Sequence, residues 1–190
     1  MKRIGIGMVI LGIMMITGAL GLMLRNLWEE TQGTQAVQDV MVQMESVTMP
    51  APEERPMEEM PTVVIDGQGY IGYLAVPALE LELPVMGQWS YAGLKTAPCR
   101  FAGSVYTDDL VVMAHNYESH FGRLDELEPG DRISFTDMGG VTTAYQVAEV
   151  EVLEAGDVEE MTAGKWNLTL FTCTYGGKKR LAVRCGKVCG

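Results

Sequence analysis

Residues 167–184 read NLTLFTCTYGGKKRLAVR, two runs of β-forming residues on either side of Gly176 and Gly177. A glycine pair suits the two-residue hairpin turns that need positive φ angles. A turn centred on this pair places Cys173 directly opposite Arg180. The stretch therefore predicts a β-hairpin with the glycine pair at its tip.

The alternation of side chains supports this pairing, because successive side chains of a strand point to opposite faces. One face is apolar enough to belong to a core: Leu168, Leu170, Thr172, Leu181, Val183 and Cys185. The other face is more polar: Thr169, Phe171, Cys173, Arg180, Ala182 and Arg184. Opposite Cβ atoms lie roughly 4.5–5.5 Å apart, so a guanidinium at Arg180 favours the thiolate form of Cys173. Cys173 is then either an activated nucleophile or a small buried thiol, the usual state of a lone cysteine.

Further short strands are predicted upstream and downstream of this turn. Turn residues separate seven candidate strands: Ile71–Val76, Leu81–Val85, Leu110–Ala114, Asp131–Thr136, Thr142–Leu153, Leu168–Thr174 and Arg180–Val188. Regular strand-and-turn spacing predicts an all-β barrel or sandwich. Short helices are predicted at residues 119–127 and 157–163.

The N-terminal residues predict a membrane helix. Ile4 to Leu24 is 21 residues without a charge, which spans roughly 30 Å as a helix, the thickness of a bilayer core. A cleaved signal peptide is the alternative, although its apolar region is usually shorter. Lys2 and Arg3 precede the run, so the positive-inside rule favours a cytoplasmic N-terminus and an exported body.

The sequence predicts three parts. Residues 1–25 form the stub and signal anchor, residues 26–63 an acidic Pro/Met-rich spacer with a possible short helix at 34–44, and residues 64–190 the β domain that carries Cys173. Three of the 14 basic residues flank the anchor, which leaves 11 basic against 25 acidic residues and a net charge of about −14. This charge argues against a nucleic-acid partner.

Four cysteines lie at positions 99, 173, 185 and 189. Their spacing resembles neither a disulfide framework nor a paired zinc signature, and Cys185 is predicted to face away from Cys173. We expect at least one free thiol, no metal site and no cofactor. The states of Cys99, Cys185 and Cys189 stay open.

A thiolate nucleophile needs a proton donor for its leaving group, normally a histidine. His115 and His120 are the two histidines of the chain. His115 ends the strand-like run LVVMA, where a strand end can present a side chain at a barrel rim. His120 lies in the following loop, so His115 is the predicted partner.

Several ordered motifs resemble the sortases, the cysteine transpeptidases of Gram-positive cell surfaces. TLFTC (169–173) resembles the family's nucleophile motif, VVMAHNY (111–117) its strand-end histidine, and Arg180 the arginine opening its next strand. YIGYLAVPALELELPVM (70–86) resembles its opening strands, and LKTAPCRFAGS (94–104) and FGRLDELEPGD (121–131) also have its character. The resemblance covers residues 69–188.

The resemblance implies a closed eight-stranded β-barrel with short helices, preceded by a transmembrane helix. It implies that Cys173 attacks an LPxTG-like sorting signal and forms a thioacyl intermediate. His115 would then serve as proton donor and acceptor and Arg180 as oxyanion donor, with Arg184 as the alternative arginine and Thr172 as a further substrate contact. The acceptor would be an amine of a peptidoglycan precursor or a pilin. The enzyme would be a single-pass membrane protein with an extracellular catalytic domain.

Two other functions stay open. An L,D-transpeptidase is also a cysteine enzyme of the wall, but its S-H-G-C-type stretch is absent. A catalytically silent β-barrel could bind wall or surface proteins as a scaffold. The sortase class, the sorting motif, the acceptor amine, the oligomeric state and any role for Ca²⁺ are not predicted, although no D-x-D-x-D loop is present.

Overall fold

The computed structural model describes residues 2–47, 60–163 and 165–188. The chain divides into two compact units, residues 1–32 and 33–190. A single helix, α1 (Lys2–Ser46), contributes to both of them.

In the first unit, α1 contains the apolar run predicted at residues 4–24. Its large apolar side chains from Met8 to Leu24 are exposed. Among the described residues, α1 is the one helix long and apolar enough to cross a membrane.

In the second unit, α1 continues from Gly33 to Ser46 and so contains the helix predicted at residues 34–44. Val37, Val40 and Met44 recur at helical spacing and are at most 7% exposed. They join the hydrophobic core of this unit, because spacings of three and four residues place side chains on one face of a helix. The division at residues 25 and 63 stays a prediction, and residues 48–59 of the predicted spacer lie outside the described residues.

Nine strands follow α1. They are β1 (Val63–Ile65), β2 (Gln68–Val76), β3 (Leu81–Met86), β4 (Cys99–Ala102), β5 (Leu110–Met113), β6 (Arg132–Asp137), β7 (Thr142–Glu154), β8 (Leu168–Cys173) and β9 (Lys179–Lys187). A short helix, α2 (Val158–Thr162), lies between β7 and β8. Short 3-10 helices occur at Pro77–Leu79, Gly93–Lys95 and Leu124–Glu126.

Each of the seven predicted strands is present, with its ends shifted by up to three residues. The helix predicted at 157–163 is confirmed as α2. The segment 119–127 holds only the 3-10 turn at Leu124–Glu126, the rest being turns. Strands β1 and β4 were not predicted, because each is at most four residues long.

The strands form one mixed sheet in the order β1-β2-β3-β4-β5-β8-β9-β7-β6, and a further β2–β6 pairing closes it. The result is a closed eight-stranded barrel with β1 outside it, which confirms the predicted fold class. Gly72 lies at the closure: a Cβ there would fall 2.2 Å from the carbonyl oxygen of Thr136 on β6. A glycine is therefore required at this position of the β2–β6 pairing.

The β8–β9 hairpin has the predicted register, with Cys173 opposite Arg180 and Leu170 opposite Val183. Its apolar face belongs to the barrel core, as expected. The second face of the hairpin, which was predicted to be the more polar one, is partly covered by apolar residues. Phe171 and Ala182 are buried there against Met161 of α2, because α2 covers a face that the hairpin alone would leave in solvent.

Candidate active site

Cys173 is the last residue of β8 and lies at the barrel rim. It is a free thiol and is half-buried. Cys99 and Cys185, by contrast, are fully buried. Burial raises the pKa of the Cys99 thiol to about 11 and that of the Cys185 thiol to about 12, so neither is a thiolate at neutral pH. Cys189 lies outside the described residues. Cys173 is therefore the candidate nucleophile.

His115 and Cys173 come together because β5 and β8 are parallel neighbours. Met113 pairs with Phe171, and the amide of Ala114 donates to the carbonyl of Phe171 at 3.2 Å. His115 and Cys173 each lie two residues beyond this pair. Since both strands run in the same direction, the imidazole and the thiol leave the sheet at the same end.

Thr172 fastens these two strand ends to each other. Its hydroxyl donates to the carbonyl of Ala114 at 2.8 Å, and the residue is only 3% exposed. The Thr172 hydroxyl is thus hydrogen-bonded to Ala114, the residue that precedes His115. Its contact with substrate stays a prediction.

The loop after His115 is held tightly by backbone hydrogen bonds. The carbonyl of His115 accepts a hydrogen bond from the amide of Phe121 at 3.1 Å, and the carbonyl of Tyr117 accepts from the amides of His120 and Gly122. A Cβ on Gly122 would lie 2.7 Å from backbone atoms of residues 116 and 117. The backbone that carries His115 is therefore fixed.

Arg180 is half-buried and faces Cys173 across the hairpin. Its Nη1 donates to the carbonyls of Gly177 and Lys179, both at 3.0 Å. These bonds anchor the guanidinium to the turn. They use one of its nitrogens, and a guanidinium has five N–H donors.

A cavity of about 230 Å³ brings these residues together. Cys173, His115, Arg180 and Thr172 line it, along with apolar side chains that include Trp89, Phe101, Met113, Met161 and Phe171. The aromatic side chains form a row: the ring centroids of Phe171 and Phe101 lie 5.3 Å apart, and those of Phe101 and Trp89 lie 6.3 Å apart. The cavity thus combines an apolar wall with a thiol, an imidazole and a guanidinium.

Arg184 lies elsewhere, on the part of the hairpin that α2 covers. It is 2% exposed. Its Nε forms an ion pair with Glu151 at 2.6 Å, and its other nitrogens donate to the hydroxyl of Thr169 and to the carbonyls of Glu160 and Met161. Because buried arginines need such partners, Arg184 holds α2 on the barrel.

His120 is fully buried, and neither ring nitrogen has a hydrogen-bond partner among the described residues. Burial lowers the pKa of its imidazole from 6.5 to about 4, and the neighbouring His115 adds to this effect. His120 is therefore neutral at physiological pH, and it does not line the cavity that holds Cys173.

The buried His120 should make stability depend on pH. Between pH 6.5 and about 4 the unfolded chain takes up a proton at this residue and the folded chain does not, so the free energy of unfolding should fall as the pH falls. The total fall in the free energy of unfolding from this residue is about 3 kcal/mol and is complete below about pH 4. Above pH 6.5 this residue makes stability no more dependent on pH. Urea unfolding of the wild type and a His120→Gln variant across this range would measure it. Equal losses of stability in the two proteins would contradict the expectation.

The described residues hold no group of three or more His, Cys, Asp or Glu side chains arranged to bind a metal ion. Two acidic side chains of β7 form ion pairs with the hairpin, Glu151 with Arg184 and Glu154 with Lys179.

Comparison with known proteins identifies the family. A family model described as the sortase domain matches residues 74–188. The chain belongs to the sortase family. The match includes both β5 and the β8–β9 hairpin, which carry the candidate active-site residues of this sortase.

Solved sortase structures share its fold. The sortase is similar to sortase C from Clostridium perfringens SM101 (TM-score 0.53, 24% identity, covering 64% of this chain and 71% of that one). It is also similar to sortase C from Streptococcus pneumoniae (TM-score 0.57, 22% identity, covering 85% and 89%) and to sortase A from Corynebacterium diphtheriae (TM-score 0.59, 18% identity, covering 85% and 85%). No curated protein sequence matches the chain. Both C-type and A-type structures resemble this sortase, so its class stays open.

Two features of the site were not predicted from the sequence. One is the aromatic row, although the stretch QWSYAG at residues 88–93 offered a signal in two aromatic side chains within a polar turn. The other is the packing of Tyr117 and His120 against α1. No local pattern indicates it, since the residues in contact are about 85 positions apart in the chain.

Proposed function

We propose that this sortase is a membrane-anchored transpeptidase in which Cys173, His115 and Arg180 form the active site. One observation carries the proposal: a half-buried free thiol, an imidazole and a guanidinium line the same cavity at one rim of the barrel. The substrate is a protein with an LPxTG-like sorting signal, and the apolar wall of the cavity suits a leucine side chain of such a signal.

In the first half-reaction the thiolate of Cys173 attacks the carbonyl carbon of the threonine. The oxyanion that forms accepts hydrogen bonds from Arg180, a preorganised donor that can contribute roughly 10²–10³ in rate. His115, as the imidazolium, protonates the amine of the departing glycine as the Thr–Gly bond breaks. The product is a thioester between Cys173 and the substrate threonine.

In the second half-reaction an amine attacks the thioester. The neutral imidazole of His115 accepts the proton of this amine, and Cys173 leaves as the thiolate. A new amide bond joins the threonine to the acceptor, a peptidoglycan precursor or another amine of the cell wall. The enzyme returns to its starting charge state.

The membrane attachment is a further part of the proposal. The exposed apolar stretch of α1 crosses the bilayer, and Lys2 and Arg3 keep the N-terminus in the cytoplasm. The catalytic barrel then lies outside the cell, where both sorting signals and wall precursors are presented.

The proposal is tested by incubating the full-length chain, solubilised in detergent, with LPxTG-type peptides and hydroxylamine. Cleavage through a thioester gives the peptide hydroxamate, which mass spectrometry detects. A methanethiosulfonate reagent should block this product, and a reducing agent should restore it. Absence of hydroxamate with every peptide of this class, or product that survives the thiol reagent, would contradict the proposal.

Substitutions of the two hairpin arginines should have different effects: loss of Arg180 should lower activity, and loss of Arg184 should lower stability. We expect Arg180→Ala to lower kcat about a hundredfold while the melting temperature stays nearly constant. Arg184→Met should instead lower the free energy of unfolding by about 2–3 kcal/mol, because it leaves Glu151 and two carbonyls without their partner. Peptide kinetics and urea unfolding of both variants measure the contrast. A stable Arg184→Met enzyme whose kcat falls as far as that of Arg180→Ala would assign the oxyanion role to Arg184.

A further inference from the structure

Three aromatic rings pack against one another next to the cavity. The imidazole of His115 and the ring of Tyr117 have centroids 5.0 Å apart and are tilted by 32°. The ring of Tyr117 and the imidazole of His120 have centroids 5.5 Å apart and are tilted by 46°. His115 lines the cavity, whereas Tyr117 and His120 do not. Tyr117 thus packs against the imidazole of His115 without itself lining the cavity.

Tyr117 is itself held in place. His120 is fully buried, and α1 packs over Tyr117 and His120 at Gly33. A Cβ on Gly33 would lie 3.4 Å from Cδ2 of Tyr117 and 3.7 Å from Nε2 of His120. The apolar residues Val37 and Val40 hold this part of α1 on the core. The tyrosine ring therefore packs against His115, His120 and α1.

The backbone of Tyr117 is fixed as well. Its carbonyl accepts hydrogen bonds from the amides of His120 and Gly122, at 2.9 Å and 2.8 Å. Gly122 has no room for a side chain there. With backbone and ring both held, the orientation of Tyr117 is set by the fold and does not depend on a bound substrate.

The charge of His120 is compatible with a supporting role for Tyr117. Burial keeps His120 neutral, with a pKa of about 4, so no second positive charge opposes protonation of His115. A neutral ring behind Tyr117 fills space without competing for the proton that His115 must transfer.

We propose that Tyr117 is a positioning residue for His115: its ring, held from behind by His120 and by α1 at Gly33, sets the orientation of the His115 imidazole toward Cys173. The inference rests on the proposed function, because it assigns His115 the proton transfers of that reaction. A reacting group misplaced by about 1 Å can lose roughly a hundredfold in rate. Tyr117 then acts on kcat and leaves substrate binding unchanged.

The test compares Tyr117→Leu with Tyr117→Phe in the full-length, detergent-solubilised chain. We expect Tyr117→Leu to lower kcat about tenfold with KM changed by less than about twofold, and Tyr117→Phe to retain kcat within about threefold because the ring remains. The readout independent of activity is NMR of ¹³C-labelled histidine. The chain has two histidines, and the His120→Gln variant assigns their signals. The His115 signal should move in Tyr117→Leu and stay in Tyr117→Phe.

A second pair of variants covers the case in which Tyr117→Leu does not fold. At Gly33 the Cβ distances leave room for alanine and not for a branched side chain. We expect Gly33→Leu to move the His115 signal and lower kcat, and Gly33→Ala to behave as the wild type. A His115 signal and kcat that stay unchanged in a folded Tyr117→Leu or Gly33→Leu protein would overturn the inference. A wild-type enzyme without turnover would contradict the proposed function, while a His115 signal that stays unchanged in Tyr117→Leu and in Gly33→Leu would still overturn the orienting role of Tyr117.

Discussion

Replacing Cys173 with alanine is expected to lower the rate of hydroxamate formation by at least about a thousandfold, to the level of the uncatalysed reaction. The thiol is the atom that forms the covalent bond to substrate, so no neighbouring group can replace it. Its side chain is half-buried at the rim, and its loss leaves the barrel core intact. The melting temperature should therefore change by only a few degrees. Peptide kinetics together with thermal unfolding measures both effects.

The matched control is Cys99→Ala. This thiol is also free, but it is fully buried on β4. We expect the variant to lose some stability, as small cavities do, and to keep its turnover. If Cys173→Ala cleaves the peptide as fast as the wild type, Cys173 is not the nucleophile, whatever its position in the cavity.

Replacing His115 with alanine should lower kcat by roughly 10²–10⁴, the usual contribution of a general acid and base. The loss should be smaller when the acceptor is hydroxylamine at high pH, since this nucleophile needs less help in losing its proton. Steady-state kinetics over a range of pH values measures the change. The stability should be nearly unaffected, because the His115 side chain is only partly buried.

His120→Gln is the control for this prediction. His120 is a buried neutral ring outside the cavity, so its loss should reduce kcat by less than about tenfold and act mainly on stability. The opposite ranking of the two variants would transfer the proton-donor role to His120 and would remove the basis of the proposed mechanism.

The hairpin shows how far local sequence could predict this site. A glycine pair predicts a two-residue turn, and the period-two alternation then determines which residues face each other. In the structure the amide of Gly177 donates to the carbonyl of Thr174, so the turn is centred on Tyr175 and Gly176, but the register is the predicted one. Both signals are local, so the pairing of Cys173 with Arg180 was predicted and is confirmed. The strands upstream were found for the same reason, as short β-forming runs bounded by turn residues.

The neighbours of the hairpin could not be predicted in this way. Nothing in the sequence around β5 indicates that it lies parallel to β8, because a parallel pairing has no turn to specify its register. His115 was predicted as the partner of Cys173 because it ends a strand-like run, and the resemblance to sortases then implied that the two residues meet. Similarly, the burial of Arg184 depends on α2 and Glu151, which belong to other elements, so the hairpin pattern left Arg184 as a weaker alternative to Arg180 on the same face.

The helix from Gly33 to Ser46 illustrates a different difficulty. It belongs to the predicted spacer at residues 26–63, whose overall composition, rich in Glu, Gln, Met and Pro, is typical of a solvated segment. Three apolar residues at helical spacing, Val37, Val40 and Met44, are enough to pack it into the core. These three residues are few enough that the average composition of the segment does not reveal the apolar face of the helix.

The parallel pairing of β5 and β8 also bears on when the chain can act. The bond between Thr172 and Ala114 joins residues 58 positions apart, and the intervening strands β6 and β7 must find their places in the sheet for the barrel to close. Contacts of such long range form late, after the entropy of the loop between them has been lost. A newly made or partly unfolded chain therefore carries a thiol and an imidazole that do not meet. The thiol and the imidazole therefore come together only when the barrel has closed. Any turnover by this site should accordingly require the complete barrel fold.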